Sequence, residues 1–257
     1  MVSFFDKGII KNNFDKKAEY YENFALIQKK MAHKLVDLCA NFLPEIKNVA
    51  DLGSGSSSIS KQVLTINKNL KILEIDISKN MLSLWKTRPD NVKILVADIE
   101  NLSFENSEKF DIIFSSYALH WLNNFEKSFE NFARALEENG YLAICLPVFG
   151  SLRELKNLNL FYVNDFPKIE LIENLLAKNG LVKIYQNCEI LTENFNNVIS
   201  ALKHLKSFGG NYSSKKNLSA NDLNKINNFY LKNLSKESRN FAISWHSAIF
   251  IYQKISK

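Results

Sequence analysis

Residues 49–57, with the sequence Val-Ala-Asp-Leu-Gly-Ser-Gly-Ser-Ser, predict a buried strand that ends at an acid and turns sharply at two glycines. A helical pattern begins immediately afterwards, at Ser58 or Ile59. Glycine bends the backbone freely and lets a ligand approach closely, so this strand, turn and helix predict the first unit of a nucleotide-type pocket. The carboxylate of Asp51 disfavours a bound phosphate and favours an ammonium group. A lone Gly-x-Gly pair is weak evidence, and a tight structural turn is the alternative.

The length of the chain is enough for one large α/β domain or for a domain with an inserted lid. The chain has 257 residues, of which 46% are hydrophobic, so it can bury a sizeable core. It contains no long uncharged apolar window, and its first residues lack the pattern of a secretion signal. Its cysteines are far apart and show no metal-ligand spacing: Cys39, Cys145 and Cys188. We therefore expect a cytoplasmic monomer with reduced thiols, no bound metal and no membrane association.

The net charge of +6 suits an acidic partner, although lysines that merely solvate helix faces are the alternative interpretation. One candidate basic patch consists of Lys203, Lys206, Lys215 and Lys216. No stripe of interleaved basic and aromatic residues is present, so we expect no nucleic-acid partner.

Strands and helices alternate after Pro44, which predicts a parallel sheet with right-handed crossovers. The predicted strands are 49–52, 71–76, 92–97, 110–115 and 141–146. The predicted helices between them begin at Ser58 or Ile59, cover 78–86 with Ser78 as N-cap, and cover 125–136 with Gly140 as C-cap. An earlier helix is predicted over residues 12–40, with Tyr21 and Gln28 pointing the same way because they are seven residues apart.

Three successive predicted strands carry an acid at the same edge of the sheet: Asp51, Asp76 and Asp98. Ligands of such sheets bind outside the carboxyl ends of the strands. An adenosine ligand with a cationic tail would offer a partner group to each of the three acids. Asp76 would accept from the ribose hydroxyls, Asp98 from the adenine amino group, and Asp51 would face the cation.

These motifs resemble the class I S-adenosylmethionine-dependent methyltransferases over roughly residues 45–150. The resemblance is carried by Asp51-Leu-Gly53-Ser-Gly55, by Asp76-Ile77-Ser78 with Met81-Leu82, by Asp98 and by the strand that ends at Ser115. It implies S-adenosyl-L-methionine as cofactor and S-adenosyl-L-homocysteine as product. The implied cofactor-binding residues are Tyr21, Gln28, Asp51, Gly53, Ser54, Gly55, Asp76, Ile77, Met81, Asp98, Ile99 and Ser115.

Further segments resemble a narrower family, the malonyl-acyl-carrier-protein O-methyltransferases of biotin synthesis. They are Phe14-Asp15-Lys16-Lys17-Ala18, the stretches 115–121, 150–155 and 202–209, and the late Trp245-His246. The resemblance implies methyl transfer to the free carboxylate of malonyl-acyl-carrier protein, or of malonyl-CoA. His120 departs from the family, in which glutamine is common at this position.

The resemblance implies a Rossmann-like α/β fold with a seven-stranded, mostly parallel sheet, helices on both faces and a small inserted cap. We divide the chain into an N-terminal helical segment that covers the cofactor (1–44), a cofactor-binding core (45–150), a cap or substrate region (151–215) and a closing helix and strand (216–257). Beyond the core, helices are predicted over 154–160, 170–178, 196–208 and 218–234, and strands over 184–191 and 241–255.

A carboxylate acceptor is ionised at neutral pH, so the chemistry needs alignment rather than a general base. The candidates for that task are Tyr21, His120, Trp121 and Arg153. Arg153 would hold the substrate carboxylate, and a surface arginine paired with Glu154 is the alternative. Three other functions stay open at this point: methylation of a free small acid or other small molecule, a methyltransferase-like binding protein without catalysis, and RNA methylation.

Overall fold

The computed structural model describes residues 5–102, 109–157, 161–207, 212–214, 219–233 and 241–255. Its helices are α1 (Lys7–Phe24), α2 (Leu26–Cys39), α3 (Ser58–Ile66), α4 (Lys79–Leu82), α5 (Phe125–Ala135), α6 (Arg153–Asn157), α7 (Ile169–Lys178), α8 (Val198–Ser207) and α9 (Ala220–Asn233). Its strands are β1 (Asn48–Leu52), β2 (Lys71–Asp76), β3 (Val92–Val96), β4 (Phe110–Ser116), β5 (Leu136–Pro147), β6 (Phe161–Val163), β7 (Leu181–Phe195), β8 (Tyr212–Ser214) and β9 (Phe241–Lys254).

The main sheet has seven strands in the order β3-β2-β1-β4-β5-β9-β7. The pairs from β3 to β5 are parallel, and β9 runs antiparallel to both of its neighbours. The strand order reverses between β1 and β4, and this switch point is where an open α/β sheet binds its ligand. The predicted seven-stranded, mostly parallel sheet is confirmed.

Alternate residues of the strands feed two cores, one on each face of the sheet. On one face α2 and α3 pack against Val49, Ile72 and Phe114. On the other face α5 and α7 pack against strand residues of the opposite parity, which include Ala50, Ile75 and Ile113. Helices therefore cover both faces, and Asp51 and Asp76 lie on the α2–α3 face, two and four residues beyond Val49 and Ile72.

Gly140 does not cap a helix, so this prediction is wrong. Helix α5 ends at Ala135, and the chain enters β5 directly at Leu136. A Cβ at Gly140 would lie 2.9 Å from the carbonyl oxygen of Glu137 and 3.1 Å from that of Asp111. Glycine is needed here because two backbones approach each other closely, which the sequence pattern does not distinguish from a helix end.

The N-terminal helix and α4 are shorter than predicted. Ala25 interrupts the first helix, with φ −84° and ψ 48°, and separates α1 from α2. Helix α4 ends at Leu82 rather than Lys86, because the Arg88 guanidinium folds back and donates to the Leu82 carbonyl at 2.6 Å. Ser78 is the N-cap as predicted, and its hydroxyl accepts from the amide of Met81 at 3.1 Å.

The region after residue 150 contains a two-stranded antiparallel sheet, β6 with β8, which the sequence pattern did not indicate. Two lysines of the predicted basic patch, Lys215 and Lys216, lie outside the described residues. Lys203 and Lys206 are exposed on α8. Within the described ranges no helix is long and apolar enough to cross a membrane.

Candidate functional site

Two adjoining cavities lie at the carboxyl ends of β1, β2 and β4, beneath α1 and α2. Their volumes are about 630 and 470 Å³, each counted with the opening to solvent. They share the residues Tyr21, Gly53, Gly55 and Ser116, so they form one continuous site. The first cavity extends towards Asp76 and Asp98, and the second extends towards Gln28 and Asp51.

The glycine turn forms the wall between the two cavities. Gly53 and Gly55 have φ values of +71° and +54°, which side-chain-bearing residues rarely adopt. A Cβ at Gly53 would lie only 2.2 Å from the Cβ of Ala118, in the segment that follows β4. The amides of Gly53 and Ser54 both donate to the carbonyl of Ile75 at the end of β2, at 2.7 and 3.1 Å. The turn is therefore tight, and it is fixed to the neighbouring strand.

Asp51 lines the second cavity and is 1% exposed. The hydroxyl of Ser60 donates to its Oδ2 at 3.4 Å, whereas Oδ1 has no partner among the described residues. Burial, reinforced by the nearby carboxylates of Glu74 and Asp76, raises the pKa of Asp51 well above its usual value. A buried carboxyl oxygen without a partner fits a cationic group, which would favour the ionised form.

Asp76 lines the first cavity together with Ile77 and Met81. Its two oxygens accept from the amides of Ser78 at 2.8 Å and Gly55 at 2.9 Å. Burial raises the pKa of Asp76 to about 6 despite these two hydrogen bonds. The carboxyl group is held rigidly and retains lone pairs that suit the hydroxyl groups of a ribose.

Asp98 and Ile99 line the far end of the first cavity. The carboxylate of Asp98 accepts from the amide of Glu100 at 3.0 Å, which fixes the turn after β3. The Lys7 ammonium at the start of α1 lies 3.9 Å from this carboxylate and 2.7 Å from that of Glu100. This end of the cavity combines an apolar wall with a hydrogen-bond acceptor, as the edge of a purine ring requires.

Helix α1 lies over the first cavity and contributes Ile10, Phe14 and Tyr21 to it. Burial and the carboxylate of Asp76 raise the pKa of Tyr21, so its phenol stays protonated at neutral pH. Gln28 is buried on α2 and lines the second cavity with Tyr21 and Ser54. The break at Ala25 therefore does not prevent Tyr21 and Gln28 from pointing into the same site.

Ser115 does not line either cavity. It is fully buried, and its hydroxyl donates to the Leu52 carbonyl at 2.8 Å, beneath the glycine turn. The next residue, Ser116, lines both cavities instead. Strand β4 runs one residue further than predicted, to Ser116, and Ser115 as a cofactor-binding residue stays a prediction.

The rings of His120 and Trp121 lie side by side, with centroids 5.0 Å apart, but only Trp121 lines a cavity. The indole of Trp121 lines the first cavity and packs against Phe14 with ring centroids 6.3 Å apart. The imidazole of His120 is 4% exposed and does not line a cavity itself, but it packs against Tyr117, which does, and against Phe166. Burial lowers the pKa of His120 to about 3, so this imidazole is neutral at physiological pH.

Arg153 is not brought to the cavities. Its side chain is 63% exposed, and its guanidinium lies 3.7 Å from the carboxylate of Glu154. In the part of the chain that the structure describes, the cavities are lined by α1, α2 and the core, without residues from 151–215. The role of Arg153 and the cap over the cofactor stay predictions.

Sequence reasoning missed several lining residues, among them Lys7, Ile10, Ser116, Tyr117 and Lys29. The helical pattern was expected to begin at residue 12, so Lys7 and Ile10 fell outside it. No group of three or more metal-binding side chains occurs among the described residues. The site as a whole has an apolar pocket, a ribose-type carboxyl group and a buried acid for a cation, and these features fit S-adenosylmethionine.

Comparison with known proteins agrees with this geometry. Residues 50–144 match the family model of a methyltransferase domain. A malonyl-acyl-carrier protein O-methyltransferase of Calditerrivibrio nitroreducens is 31% identical over 248 residues, which cover 95% of this chain and 96% of the relative. A second protein of that name, from Ilyobacter polytropus, is 30% identical and covers 89% of this chain and 91% of its own length.

The fold is also found in a solved structure. The N-methyltransferase NodS of Bradyrhizobium japonicum superposes with a TM-score of 0.54 at 12% identity, covering 90% of this chain and 98% of NodS. At this identity the likeness concerns the fold, which is that of the class I methyltransferases. The near full-length match at 31% identity shows more: this chain belongs to the malonyl-acyl-carrier protein O-methyltransferase family.

Proposed function

We propose that this protein transfers the methyl group of S-adenosylmethionine to the free carboxylate of malonyl-acyl-carrier protein, which gives a methyl ester and S-adenosylhomocysteine. The observation that carries the proposal is the buried, unpartnered Oδ1 of Asp51 in a cavity beside Asp76, found in a chain whose full-length relatives bear this name. A methyl ester of this kind would begin pimeloyl synthesis on the route to biotin.

The donor would be held by the three strand-end acids and the glycine turn. Asp51 would face its ammonium, Asp76 its ribose hydroxyls and Asp98 the adenine edge. When bound, S-adenosylmethionine supplies a methyl group that its sulfonium already activates. Gly53 and Gly55 let the backbone approach the methionine part, and Tyr21 covers the site from α1.

The chain itself contributes alignment and the exclusion of water. A malonyl carboxylate is ionised at neutral pH and requires no base. Ser116, Tyr117 and Trp121 line the first cavity at the end of β4, beside the strands that hold the donor acids. Their positions support a role in orienting the acceptor. His120 is neutral and packs against Tyr117 and Trp121, so it would act on the acceptor through these two lining residues rather than as a charge.

The substrate is tested by intact-mass measurement of candidate acceptors after incubation with the protein and S-adenosylmethionine. Malonyl-acyl-carrier protein is expected to gain the mass of one methylene unit, and alkaline cleavage of the thioester should remove this gain together with the malonyl group, which places the added methyl on the acyl chain. Acetyl-acyl-carrier protein lacks a free carboxylate and should not react. Methylation of free malonate but not of the carrier-bound form would move the assignment to a small-acid methyltransferase. Donor binding without turnover on any acceptor would indicate a binding protein.

Arg153 is tested separately, because it is the proposed anchor of the acceptor carboxylate. Arg153→Ala should raise the KM for malonyl-acyl-carrier protein and leave donor affinity unchanged. Arg134→Ala is the matched control, since Arg134 is similarly exposed, at 60%, and also pairs with a glutamate, Glu130. Equal KM values for the two variants would remove Arg153 from the acceptor site without affecting the assigned reaction.

A further inference from the structure

One more acid lies beside the three strand-end carboxylates. Glu74 is on β2, two residues before Asp76, and its Cα is the register partner of Asp51 on β1. Its side chain is completely buried. Neighbouring strands are about 4.8 Å apart, so Glu74 places a further negative charge next to the acid that would receive the donor's ammonium.

Arg88 binds Glu74 from the loop after α4. Its Nη2 and Nε lie 2.8 and 2.9 Å from one carboxyl oxygen, Oε2, and its own side chain is 14% exposed. The other oxygen, Oε1, is buried without a hydrogen-bond partner in the described structure. The two charges are therefore paired in an environment that admits little water, where a charge acts on its neighbours with weak screening.

The same guanidinium also reaches the glycine turn. Its Nη2 lies 3.4 Å from the hydroxyl of Ser57, a residue held at φ +65° at the end of the turn. It donates further to the carbonyls of Leu82 and Trp85, at 2.6 and 3.1 Å. One side chain thus joins β2, the glycine turn and the end of α4, and all three of these elements border the cavities.

We propose that Glu74 and Arg88 are positioning residues of the donor site: the pair fixes the glycine turn, and the positive charge of Arg88 offsets the negative charge that Glu74 places beside Asp51 and Asp76. The proposal rests on the proposed function, because it assumes that this cavity receives S-adenosylmethionine. Neither side chain lines a cavity, so both act through Asp51, Asp76 and the turn.

The electrostatic half of the proposal has a definite sign. The charge of Glu74 raises the pKa of Asp51 and that of Asp76. Donor binding requires both acids ionised, so affinity falls as the pH drops through their pKa values. Removing the negative charge of Glu74 should lower these pKa values and move the acidic limb of the affinity profile to lower pH.

Other charged groups face the two acids as well. Glu22 of α1 and Lys29 of α2 line the cavity with Asp51, and both are exposed. Asp15 of α1 faces Asp76 through Ser78, whose hydroxyl donates to the Asp15 carboxylate at 2.6 Å. All of these groups stay unchanged in the variants below, so they do not contribute to the difference that is measured.

The experiment measures the affinity of S-adenosylhomocysteine by calorimetry across pH for the wild type, Glu74→Gln and the double variant Glu74→Gln with Arg88→Met. In Glu74→Gln the amide oxygen still accepts from Arg88, and the acidic limb should move down by about one pH unit. In the double variant the two substituted positions again carry no net charge. The acidic limb of its affinity profile should therefore return towards the wild-type pH, even though the hydrogen bond from Arg88 to Ser57 is lost. Glu126→Gln removes a fully exposed charge and is the matched control, with no shift expected.

A purely structural pair would weaken binding at every pH, most severely in the double variant, without moving the limb; that result would overturn the proposal. Thermal melts of each variant establish that the measured protein is folded. If the wild type itself bound no S-adenosylhomocysteine, the proposed function would fail instead, so the two failures can be told apart.

Discussion

Substituting Gly53 by alanine tests whether the glycine turn is shaped by close packing as well as by backbone conformation. Two effects combine at this position. An L-residue in the left-handed region costs roughly 1–2 kcal/mol. The new Cβ would also stand 2.2 Å from the Cβ of Ala118, so the turn or the segment after β4 must move by more than about 1 Å to reach ordinary contact.

Gly180 separates the two effects. Its φ of +75° is close to that of Gly53, yet no atom lies within 4 Å of the point that a Cβ would occupy there. Gly180→Ala should therefore cost only the backbone strain, about 1–2 kcal/mol of unfolding free energy. Gly53→Ala should cost a further 1–3 kcal/mol, roughly, because of overpacking.

Urea denaturation measures the two stabilities, and calorimetric titration with S-adenosylhomocysteine measures the consequence for the site. Gly53→Ala should weaken product binding by at least about tenfold, because a displacement of about 1 Å disrupts an aligned site. Gly180→Ala, which lies in the turn between α7 and β7, should bind normally. Equal destabilisation by the two substitutions, or normal binding by Gly53→Ala, would refute the reasoning.

Three further predictions concern the acids of the site and α1. Asp51→Asn should raise the unfolding free energy near neutral pH by on the order of 1–3 kcal/mol, because the folded state raises the pKa of this carboxyl and so disfavours its ionised form. Urea denaturation measures the change, and a variant less stable than the wild type would contradict the prediction. Since the pKa of Asp76 is raised to about 6, donor affinity followed by calorimetry should fall as the pH drops through about 6. A profile that stays flat between about pH 7 and pH 5 would exclude an ionised Asp76 as the ribose acceptor. The carboxylate of Asp15 on α1 accepts from the Ser78 hydroxyl at 2.6 Å, so Asp15→Ala should raise the KM for the donor several-fold with little change in kcat. Asp90→Ala, at an exposed position, is the control and should alter neither constant in steady-state assays.

The sequence predicted the core of the sheet well because its information is local there. Short apolar runs that end in an acid marked β1, β2 and β3, and the structure places each within one residue of the prediction. Ser78 was recognised as a cap for the same reason, since an N-cap hydroxyl bonds an amide only three residues away.

The errors arose where a distant part of the chain decides the local structure. Gly140 was taken for a helix end, but it is needed because the backbone of β4 passes close to it. Helix α4 stops early because Arg88 returns to bind its last carbonyl. The pairing of β6 with β8 joins residues about fifty positions apart, and neither segment carries a pattern of its own.

The site was predictable in its acids and glycines and less so in its remaining walls. Asp51, Asp76 and Asp98 follow from the rule that parallel strands end at one edge of the sheet. Ser115 was carried over from the family resemblance, and its neighbour Ser116, which lines both cavities, was not singled out because the strand was predicted to end before it. The burial of His120 and the exposure of Arg153 depend on how the segments after β4 and β5 pack against the rest of the protein. The spacing of residues along the sequence contains no information about this packing.

The central claim is that the acids at the ends of β1 and β2 form the receptor for a cationic adenosyl donor. Calorimetric titration of S-adenosylmethionine into the wild-type protein and Asp51→Asn near neutral pH tests it most directly. The account predicts one saturable site in the wild type and at least about a hundredfold weaker binding in the folded variant, because the ammonium loses its buried counter-charge. Equal affinity in the two proteins, or no uptake of the donor by the wild type, would contradict it.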